Sequence, residues 1–444
     1  MKDMTRGKPL PLIVTFAIPI VLSAILQQCY NMADSIIAGN FAENGMGALA
    51  AVGVSTPITQ LFVGLGVGAG AGTGAVISQT FGAGRLAEVK TTVYTALMAL
   101  LVMSLVLMGV GVAFSPALAT LLGTPGNIYD NAVVYLSIYM WGLPFLFMYN
   151  IANAIFQALG DSKKPLYFLI FSTVFNIALD LLFVAKFHWG VACVAWATFI
   201  AQGSAAVLAV SVLLRKTAAL AGKVPVYDGH KLAMIAKVGI PTMIQNAIVN
   251  VGNLFVSRLV NSYGSDFIAG YSSAIKIMGF FNMVIISVGN AIATFTGQNI
   301  GAGNTERPKQ GFRIALMLNW SFVTVITVVT YLFGRQMIGL FADATATETM
   351  YAAGVNYLRV AVLGSYLFTV LNASVCVCRG SGYVFASTFI TLLDLIVRVL
   401  LAYGLNGWFG SDSIALSVAI GWGVGAAVGM CFYLKGTWKK KRLV

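Results

Sequence analysis

The sequence predicts an all-α integral membrane protein with twelve transmembrane helices in two six-helix lobes. Of its 444 residues, 59% are hydrophobic and 9% are charged, whereas a soluble domain carries about 25% charged residues. Twelve segments each contain the roughly 20 mainly apolar residues that a spanning helix requires. These segments are 12–38, 48–80, 91–114, 130–155, 165–187, 190–214, 235–260, 267–299, 312–334, 350–378, 384–404 and 412–435.

The basic residues indicate the topology. Most of the 27 Lys and Arg residues lie in alternate loops and in the C-terminal tail, for example at 163–164, 215–216 and 439–442. The positive-inside rule therefore predicts a multi-pass protein of the cell (inner) membrane with both termini in the cytoplasm. The net charge of +13 does not indicate a nucleic-acid partner, because no basic run alternates with aromatic residues on a polar domain.

The two halves of the chain resemble each other. A basic segment at 215–234 separates an N-terminal lobe at 1–214 from a C-terminal lobe at 235–444, and each lobe holds six of the predicted spans. Pro19 corresponds to Pro241, and SQTFGAGR at 78–85 corresponds to GQNIGAGN at 297–304. With an even number of spans in each half, the lobes are expected to be related by a pseudo-twofold axis along the membrane normal.

The Gly-Ala-Gly sequences in these repeated motifs are predicted to be tight cytoplasmic turns, where glycine supplies unusual backbone angles. They match neither the nucleotide-binding fingerprint G-x-x-x-x-G-K-[ST] nor G-x-G-x-x-G in its strand context. ATP hydrolysis within this chain is therefore not expected. The two histidines, His188 and His230, belong to no metal motif, so we do not expect an enzyme.

Two acids in apolar segments are the main functional candidates, Asp34 and Asp180. A charged residue at the centre of a spanning helix costs about 2.5–3.5 kcal/mol on insertion scales and usually marks an ion or proton pathway. Asn176 lies one turn before Asp180 on the same helix face. Further amide and hydroxyl groups occur at comparable positions, on Gln27, Tyr30, Tyr135, Asn153 and Thr198.

Two carboxylates among amides and hydroxyls can share protons or provide hard oxygen ligands for Na⁺. Burial and a second carboxylate nearby both favour the protonated form of a carboxylic acid. The alternative is that the acids are structural and satisfied by helix ends or interhelical hydrogen bonds.

The second half is polar but mostly uncharged. Val256 stands where Asp34 would recur, and Asp394 with Arg398 is interpreted as an intrahelical ion pair. Lys276 either snorkels or faces a cavity. A candidate cavity in this lobe would be lined by Gln245, Asn250, Lys276 and Asn282.

Over its whole length the chain resembles the multidrug and toxic compound extrusion (MATE) family. The resemblance rests on the twelve spans, on the motifs SQTFGAGR and GQNIGAGN, and on one spacing pattern in the first lobe. Pro19 and Tyr30 lie fifteen and four residues before Asp34, and Thr198 lies eighteen residues after Asp180. This pattern is similar to that of the prokaryotic DNA-damage-inducible-like branch.

The resemblance implies a secondary antiporter that exports amphipathic, cationic organic compounds or drugs in exchange for H⁺ or Na⁺ by alternating access. It implies a cation or proton site, and hence a candidate Na⁺ site, with a supporting network and a hinge at Pro19. The site would comprise Asp34, Asn176, Asp180 and Thr198, and the network Tyr30, Tyr135, Asn153 and Gln27. A second-lobe Na⁺ site is not expected, because Val249 lies near the position of the acid that such a site uses.

The expected partners are small organic substrates and membrane lipid, with no organic cofactor, no nucleic acid and a monomeric state. The alternative function is that of a lipid-linked oligosaccharide flippase from the same superfamily. Such a protein would need a strongly cationic cavity for a pyrophosphate, whereas the cations within the second-half spans are few and are opposed by Asp34 and Asp180.

Overall fold

The computed structural model describes residues 2–41, 45–187, 191–220, 222–342 and 346–443. The side chains of 31–41, 45–49, 184–187 and 191–194 lie outside that description. Every regular element in the described ranges is helical. The α-helices are α1 (Pro9–Phe41), α2 (Gly45–Gly82), α3 (Leu86–Ala113), α4 (Ser115–Leu121), α5 (Tyr129–Trp141), α6 (Leu143–Ala158), α7 (Lys163–Phe187), α8 (Val191–Ala218), α9 (Gly229–Asn261), α10 (Ser265–Gly301), α11 (Glu306–Gly339), α12 (Glu348–Gly380), α13 (Val384–Gly404), α14 (Asn406–Phe409) and α15 (Asp412–Lys435).

The described helices account for the predicted spans. Eleven of them are long and apolar enough to cross a membrane, and α5 with α6, bent by 47°, passes the same test as a pair and makes twelve when counted as one span. The sequence predicted this span, 130–155, as one helix. It breaks at Gly142 because Pro144 lies in the first turn of α6, where its missing N–H and fixed φ suit a helix start but not a helix interior.

The chain folds into two compact units. Unit 1 contains Met1–Asp3 and Ile18–Asn246, with Val444, and unit 2 contains Met4–Ala17 and Ala247–Leu443. The division therefore falls inside α1 and inside α9, and not at the basic segment 215–234. The start of α1 belongs to unit 2, and the start of α9 belongs to unit 1.

In unit 1, glycines on α2 allow two other helices to approach closely. A Cβ at Gly68 would lie 2.7 Å from the α-carbon of Met243, and a Cβ at Gly72 would lie 2.6 Å from the backbone nitrogen of Gly239. On another side of α2, a Cβ at Gly70 would lie 3.2 Å from that of Ala154 on α6. Small residues four apart are typical of close helix packing in membranes, and they hold α6 and the start of α9 against α2.

Also in unit 1, the segment before α9 is fixed to α3. The Lys90 ammonium donates hydrogen bonds to the carbonyls of Ala218 (3.2 Å) and Gly222 (2.9 Å). The Asp228 amide donates to Thr95 Oγ1 at 3.0 Å. These bonds satisfy polar groups of a chain segment that lies between two spans.

In unit 2, the segment before α1 is held by the second repeated motif. The Met4 amide donates to Gln298 Oε1 at 2.9 Å, and Asn299 Nδ2 donates to the Met4 carbonyl at 3.2 Å. Arg307 donates to the same carbonyl at 3.1 Å and to the Gly7 carbonyl at 3.0 Å. Met4 is also fully buried. The second motif therefore holds the segment before α1 in addition to forming a turn.

The predicted turn geometry of both motifs is confirmed. Gly84 and Gly303 have φ values of +73° and +80°, which an L-residue with a side chain rarely adopts. In each motif this glycine follows the end of a long helix, α2 or α10. The motifs therefore end equivalent helices in the two halves.

Candidate functional site

Three polar side chains form one buried row on α7. Thr173, Asn176 and Asp180 are spaced by three and four residues, which places them on one helix face. Their exposed fractions are 6%, 0% and 0%. Within the described residues, neither the Asn176 amide oxygen nor its nitrogen has a hydrogen-bond partner, and the same is true of Thr173 Oγ1.

Such unsatisfied atoms are costly to bury. Most buried polar atoms in folded proteins have partners, and an exception calls for a reason such as a water or an ion. An amide oxygen, a hydroxyl and a carboxylate on one face are oxygen ligands of the kind that hard cations prefer. The row can therefore bind a small cation or carry a proton.

On α8, Thr198 connects this region to α1. The Tyr30 hydroxyl donates to Thr198 Oγ1 at 3.4 Å, a long hydrogen bond. Helix α8 packs against α5, α6 and α7, so a side chain on α8 lies close to the helices that carry the other predicted residues. The structure thus brings together two of the predicted residues, Tyr30 and Thr198.

A small pocket lies beside Thr198. Its volume is about 20 Å³, which is enough for one water molecule. Tyr135 and Gln202 contribute polar groups to its wall, and Gly142 contributes the bend of the fourth span. Water or a proton at this pocket would contact both predicted residues, Thr198 and Tyr135.

The tyrosines of α5 are also ordered by contacts within unit 1. The rings of Tyr135 and Tyr139 stack with their centroids 6.5 Å apart. The Tyr139 hydroxyl donates to the Thr59 carbonyl on α2 at 3.3 Å. The predicted network residue Asn153 lies half-buried on α6, and its Oδ1 has no hydrogen-bond partner in the described part of the chain.

An apolar groove of about 480 Å³ adjoins the small pocket. The two share Ile138 and Phe199, and the groove also contains the indoles of Trp141 and Trp196. The remaining lining residues are Val133, Val134 and Ser137. A lipophilic molecule in this groove would contact aromatic rings and lie near the polar pocket.

Helix α1 carries the remaining predicted residues of the first half. The Asp34 side chain lies outside the described residues, while Gln27 is half-buried. Pro19 is buried within α1, two residues after Ala17, where the chain passes from unit 2 to unit 1. Because proline has no N–H, the helix lacks one backbone bond at this point, which makes Pro19 a local weakness in α1.

The candidate residues of the second half differ in burial and in their neighbours within the described part of the chain. Lys276 is exposed, with its ammonium 5.4 Å from the Phe341 ring centroid. Asn282 Oδ1 has no partner among the described residues, and Asn250 is half-buried on α9. Gln245 was assigned to the C-terminal lobe from the sequence, but in the fold it belongs to unit 1.

The predicted ion pair of the second half is present. Arg398 Nη2 donates to Asp394 Oδ2 at 2.8 Å, one turn apart on α13. The side chains are 18% and 8% exposed, so the pair is largely removed from solvent.

Sequence reasoning missed three polar residues that the structure places near the predicted ones. Thr173, Tyr139 and Gln202 each lie one turn from a predicted residue, on α7, α5 and α8 respectively. The spacing of three or four residues between Thr173 and Asn176, or between Thr198 and Gln202, was a signal that could have identified them.

The fold and the buried polar row define a multi-span membrane protein with two repeated halves. The family model described as MatE matches residues 19–182 and again 241–404. The chain therefore belongs to the MatE family of multidrug and toxic compound extrusion transporters, which confirms the family predicted from the sequence.

Relatives match over nearly the whole chain. The chain is 30% identical to the probable multidrug resistance protein YoeA of Bacillus subtilis over 96% of this chain and 94% of YoeA. It is 28% identical to the probable multidrug resistance protein YpnP of the same organism, over 99% and 98% of the two chains. The multidrug export protein MepA of Staphylococcus saprophyticus is 22% identical over 91% of this chain and 89% of MepA.

Solved structures show the same fold. A crystal structure described as MATE in complex with MaL6 superposes with a TM-score of 0.91 at 21% identity, over 99% of both chains. An outward-facing MATE family multidrug resistance transporter of the MOP superfamily superposes with a TM-score of 0.88 at 22% identity, over 99% of both chains. The predicted fold class is thus confirmed.

Proposed function

We propose that this transporter exports amphipathic, cationic organic compounds in exchange for H⁺ or Na⁺. The observation that carries the proposal is the row Thr173, Asn176 and Asp180 on α7. It contains a fully buried carboxylate beside an amide whose two polar atoms have no partner among the described residues. A cation or a proton at this row would provide the Asn176 amide with a partner that the described fold does not.

The roles follow from the chemistry of the side chains. Asp180 carries the charge that a proton neutralises or a Na⁺ balances, and Asn176 with Thr173 supplies neutral oxygen ligands. Asp34 is the second carboxylate of the proposed site. Thr198 and Tyr30, joined by a 3.4 Å hydrogen bond, link the site to α1.

The exported compound is proposed to be lipophilic and cationic because of the aromatic groove. Trp141, Trp196 and Phe199 line it, and aromatic ring faces attract cations by about 0.5–2 kcal/mol each. The names of the relatives YoeA, YpnP and MepA, which refer to multidrug resistance or export, support a drug-like substrate.

Coupling requires that the ion and the substrate bind two conformations with different affinity. Pro19 interrupts the backbone bonding of α1 where this helix passes from unit 2 to unit 1. We assign Pro19 as the hinge at which α1 changes shape when the α7 row binds or releases its ion.

The test is efflux of a fluorescent lipophilic cation from reconstituted vesicles, under a pH gradient alone and a Na⁺ gradient alone. Wild type, Asp34→Asn and Asp180→Asn are compared with Asp130→Asn, which changes an exposed acid at the start of α5. We expect efflux under one gradient, its loss in the first two variants and its retention in Asp130→Asn.

Efflux that persists in folded Asp180→Asn would refute the assignment of the coupling site. Absence of wild-type efflux under both gradients would refute the antiporter, and lipid-linked oligosaccharide translocation would then be measured in the same vesicles.

A further inference from the structure

The two halves can be aligned residue by residue around α7 and α13. The second match to the family model begins and ends 222 residues after the first. Gly160 and Gly382 keep this offset, and both have positive φ, +76° and +83°. Each follows the last residues of a helix, α6 or α12, and precedes α7 or α13. The offset is therefore supported by both sequence and backbone geometry.

With this offset, Arg398 stands at the position of Asn176. The position of Asp180 is taken by Ala402, which is fully buried. The acid on α13, Asp394, lies one turn before Arg398 instead of one turn after it. The second half thus has a guanidinium where the first half has an amide whose polar atoms have no partner within the described ranges.

The Asp394–Arg398 pair packs closely against α15, and Asp394 Oδ1 has no hydrogen-bond partner among the described residues. Asp394 Oδ2 accepts the Arg398 bond at 2.8 Å. A Cβ built on Gly421 of α15 would lie only 2.8 Å from the other oxygen, Oδ1. The Arg398 guanidinium carbon lies 5.9 Å from the Trp422 ring centroid. The carboxylate is therefore enclosed between its own arginine and the backbone of α15.

The titratable side chains near Arg398 on neighbouring helices are two tyrosines. Tyr271 of α10 and Tyr357 of α12 lie within electrostatic reach of Arg398, and their rings are 5.0 Å apart. From α15, the neighbours are Gly421 and Trp422, which carry no charge. Within the described residues, Arg398 is thus the cation that balances Asp394.

We propose that the Arg398 guanidinium is a tethered cation that fills, in the second half, the place taken by an exchangeable cation in the first. This inference rests on the proposed function of the α7 row. A buried carboxylate needs a cation or a proton to offset its loss of hydration. In the first half the proposed coupling ion binds at the α7 row and leaves again, whereas Arg398 cannot leave. On this proposal Asp394 binds no exchangeable ion, and ion coupling rests on the first-half site.

Removing the tethered cation should open a new cation site at Asp394. The experiment uses the full-length protein in detergent, with the first-half site removed by Asp180→Asn, and measures the thermal unfolding midpoint. Midpoints are compared in NaCl and in choline chloride at equal concentration, and at two pH values. Ligands that bind the folded state alone raise this midpoint.

We expect the midpoint of Asp180→Asn to be insensitive to Na⁺. When Arg398→Gln is added to this variant, the midpoint should be at least about 2 °C higher in NaCl than in choline chloride, or higher at the lower pH, where Asp394 can be protonated. Adding Asp394→Asn as well should abolish the new response. Failure of folded Arg398→Gln to gain a response, or a gain that survives Asp394→Asn, overturns the proposal.

Two further measurements cover other outcomes. If Arg398→Gln unfolds during purification, the proposal requires more folded protein in NaCl than in choline chloride, and equal recovery overturns it. The difference in ion response between wild type and Asp180→Asn tests the first-half site, and the effect of Arg398→Gln tests the tethered cation. The proposed function can therefore fail while the tethered cation is still tested.

Discussion

The Tyr30 hydroxyl on α1 donates a 3.4 Å hydrogen bond to Thr198 Oγ1 on α8, 168 residues further along the chain. This bond joins the helix that contains Pro19 to a helix that packs against α7. This bond is therefore one connection between α1 and the helices around the α7 row.

Tyr30→Phe removes this bond with little change in shape. A single hydrogen bond contributes about 0.5–1.5 kcal/mol, so we expect dye efflux to slow by about 2- to 10-fold while the protein stays folded. Tyr227→Phe, at a half-exposed position before α9, is the matched control and should transport at the wild-type rate. Equal rates for Tyr30→Phe and the control would contradict the role of the bond.

We expect Asn176→Leu to abolish transport without destabilising the folded protein. Because neither polar atom of Asn176 has a partner within the described residues, replacing it with an apolar residue of similar size should leave the unfolding midpoint unchanged or raise it. The same change should abolish gradient-driven efflux.

Asn299→Leu is the control for that experiment. Asn299 is also fully buried, but its amide bonds to the carbonyls of Met4 and Phe295 and to Arg307 Nε. Loss of the Asn299 amide should lower the free energy of unfolding by about 1–3 kcal/mol, because its partners at Met4, Phe295 and Arg307 lose these hydrogen bonds. A midpoint for Asn176→Leu as low as that of Asn299→Leu would show that Asn176 is structural.

Gly72→Ala should destabilise unit 1. The new methyl group would lie 2.6 Å from the Gly239 nitrogen and 2.7 Å from the Ile235 carbonyl oxygen, so two helix backbones would have to separate, at a cost of about 1–3 kcal/mol. Gly53→Ala on the same helix meets nothing within 4 Å and should be neutral or slightly stabilising. Thermal unfolding of both variants in detergent measures the difference, and equal midpoints would exclude close packing at Gly72.

Arg307→Met should release the segment before α1. It removes hydrogen bonds to the Met4 and Gly7 carbonyls and to Asn299, so hydrogen–deuterium exchange of residues 4–8 should become faster. Lys309→Met on the same helix breaks an exposed ion pair with Glu306, which contributes about 0–1 kcal/mol, and should leave this exchange unchanged. Slow exchange in Arg307→Met would mean that Gln298 and Asn299 hold the segment alone.

The sequence was sufficient to predict the helical spans, because about 20 apolar residues in a row have few other solutions in a membrane. It also indicated Asn176 and Asp180 as candidates, since polar groups are rare and costly in such segments, and the structure buries both. The fourth span shows the limit of hydropathy. Its mean composition is that of one helix, and the bend at Gly142 comes from backbone chemistry around Pro144.

Interactions between distant segments could not be predicted from the sequence. GQNIGAGN was interpreted as a turn, yet its Gln298 and Asn299 also bind Met4, nearly 300 residues earlier. Likewise, the boundary at 215–234 followed from charge and span count, whereas the two compact units divide α1 after Ala17. Periodicity describes one helix at a time and carries little information on which helices touch.

The division of α1 has a consequence for synthesis of the protein. Residues Met4–Ala17 are synthesised well before the rest of their unit, which begins at Ala247. Unit 2 therefore cannot be completed by the second half of the gene alone. Residues Met4–Ala17 can complete their contacts with the rest of unit 2 only after Ala247–Leu443 has been synthesised.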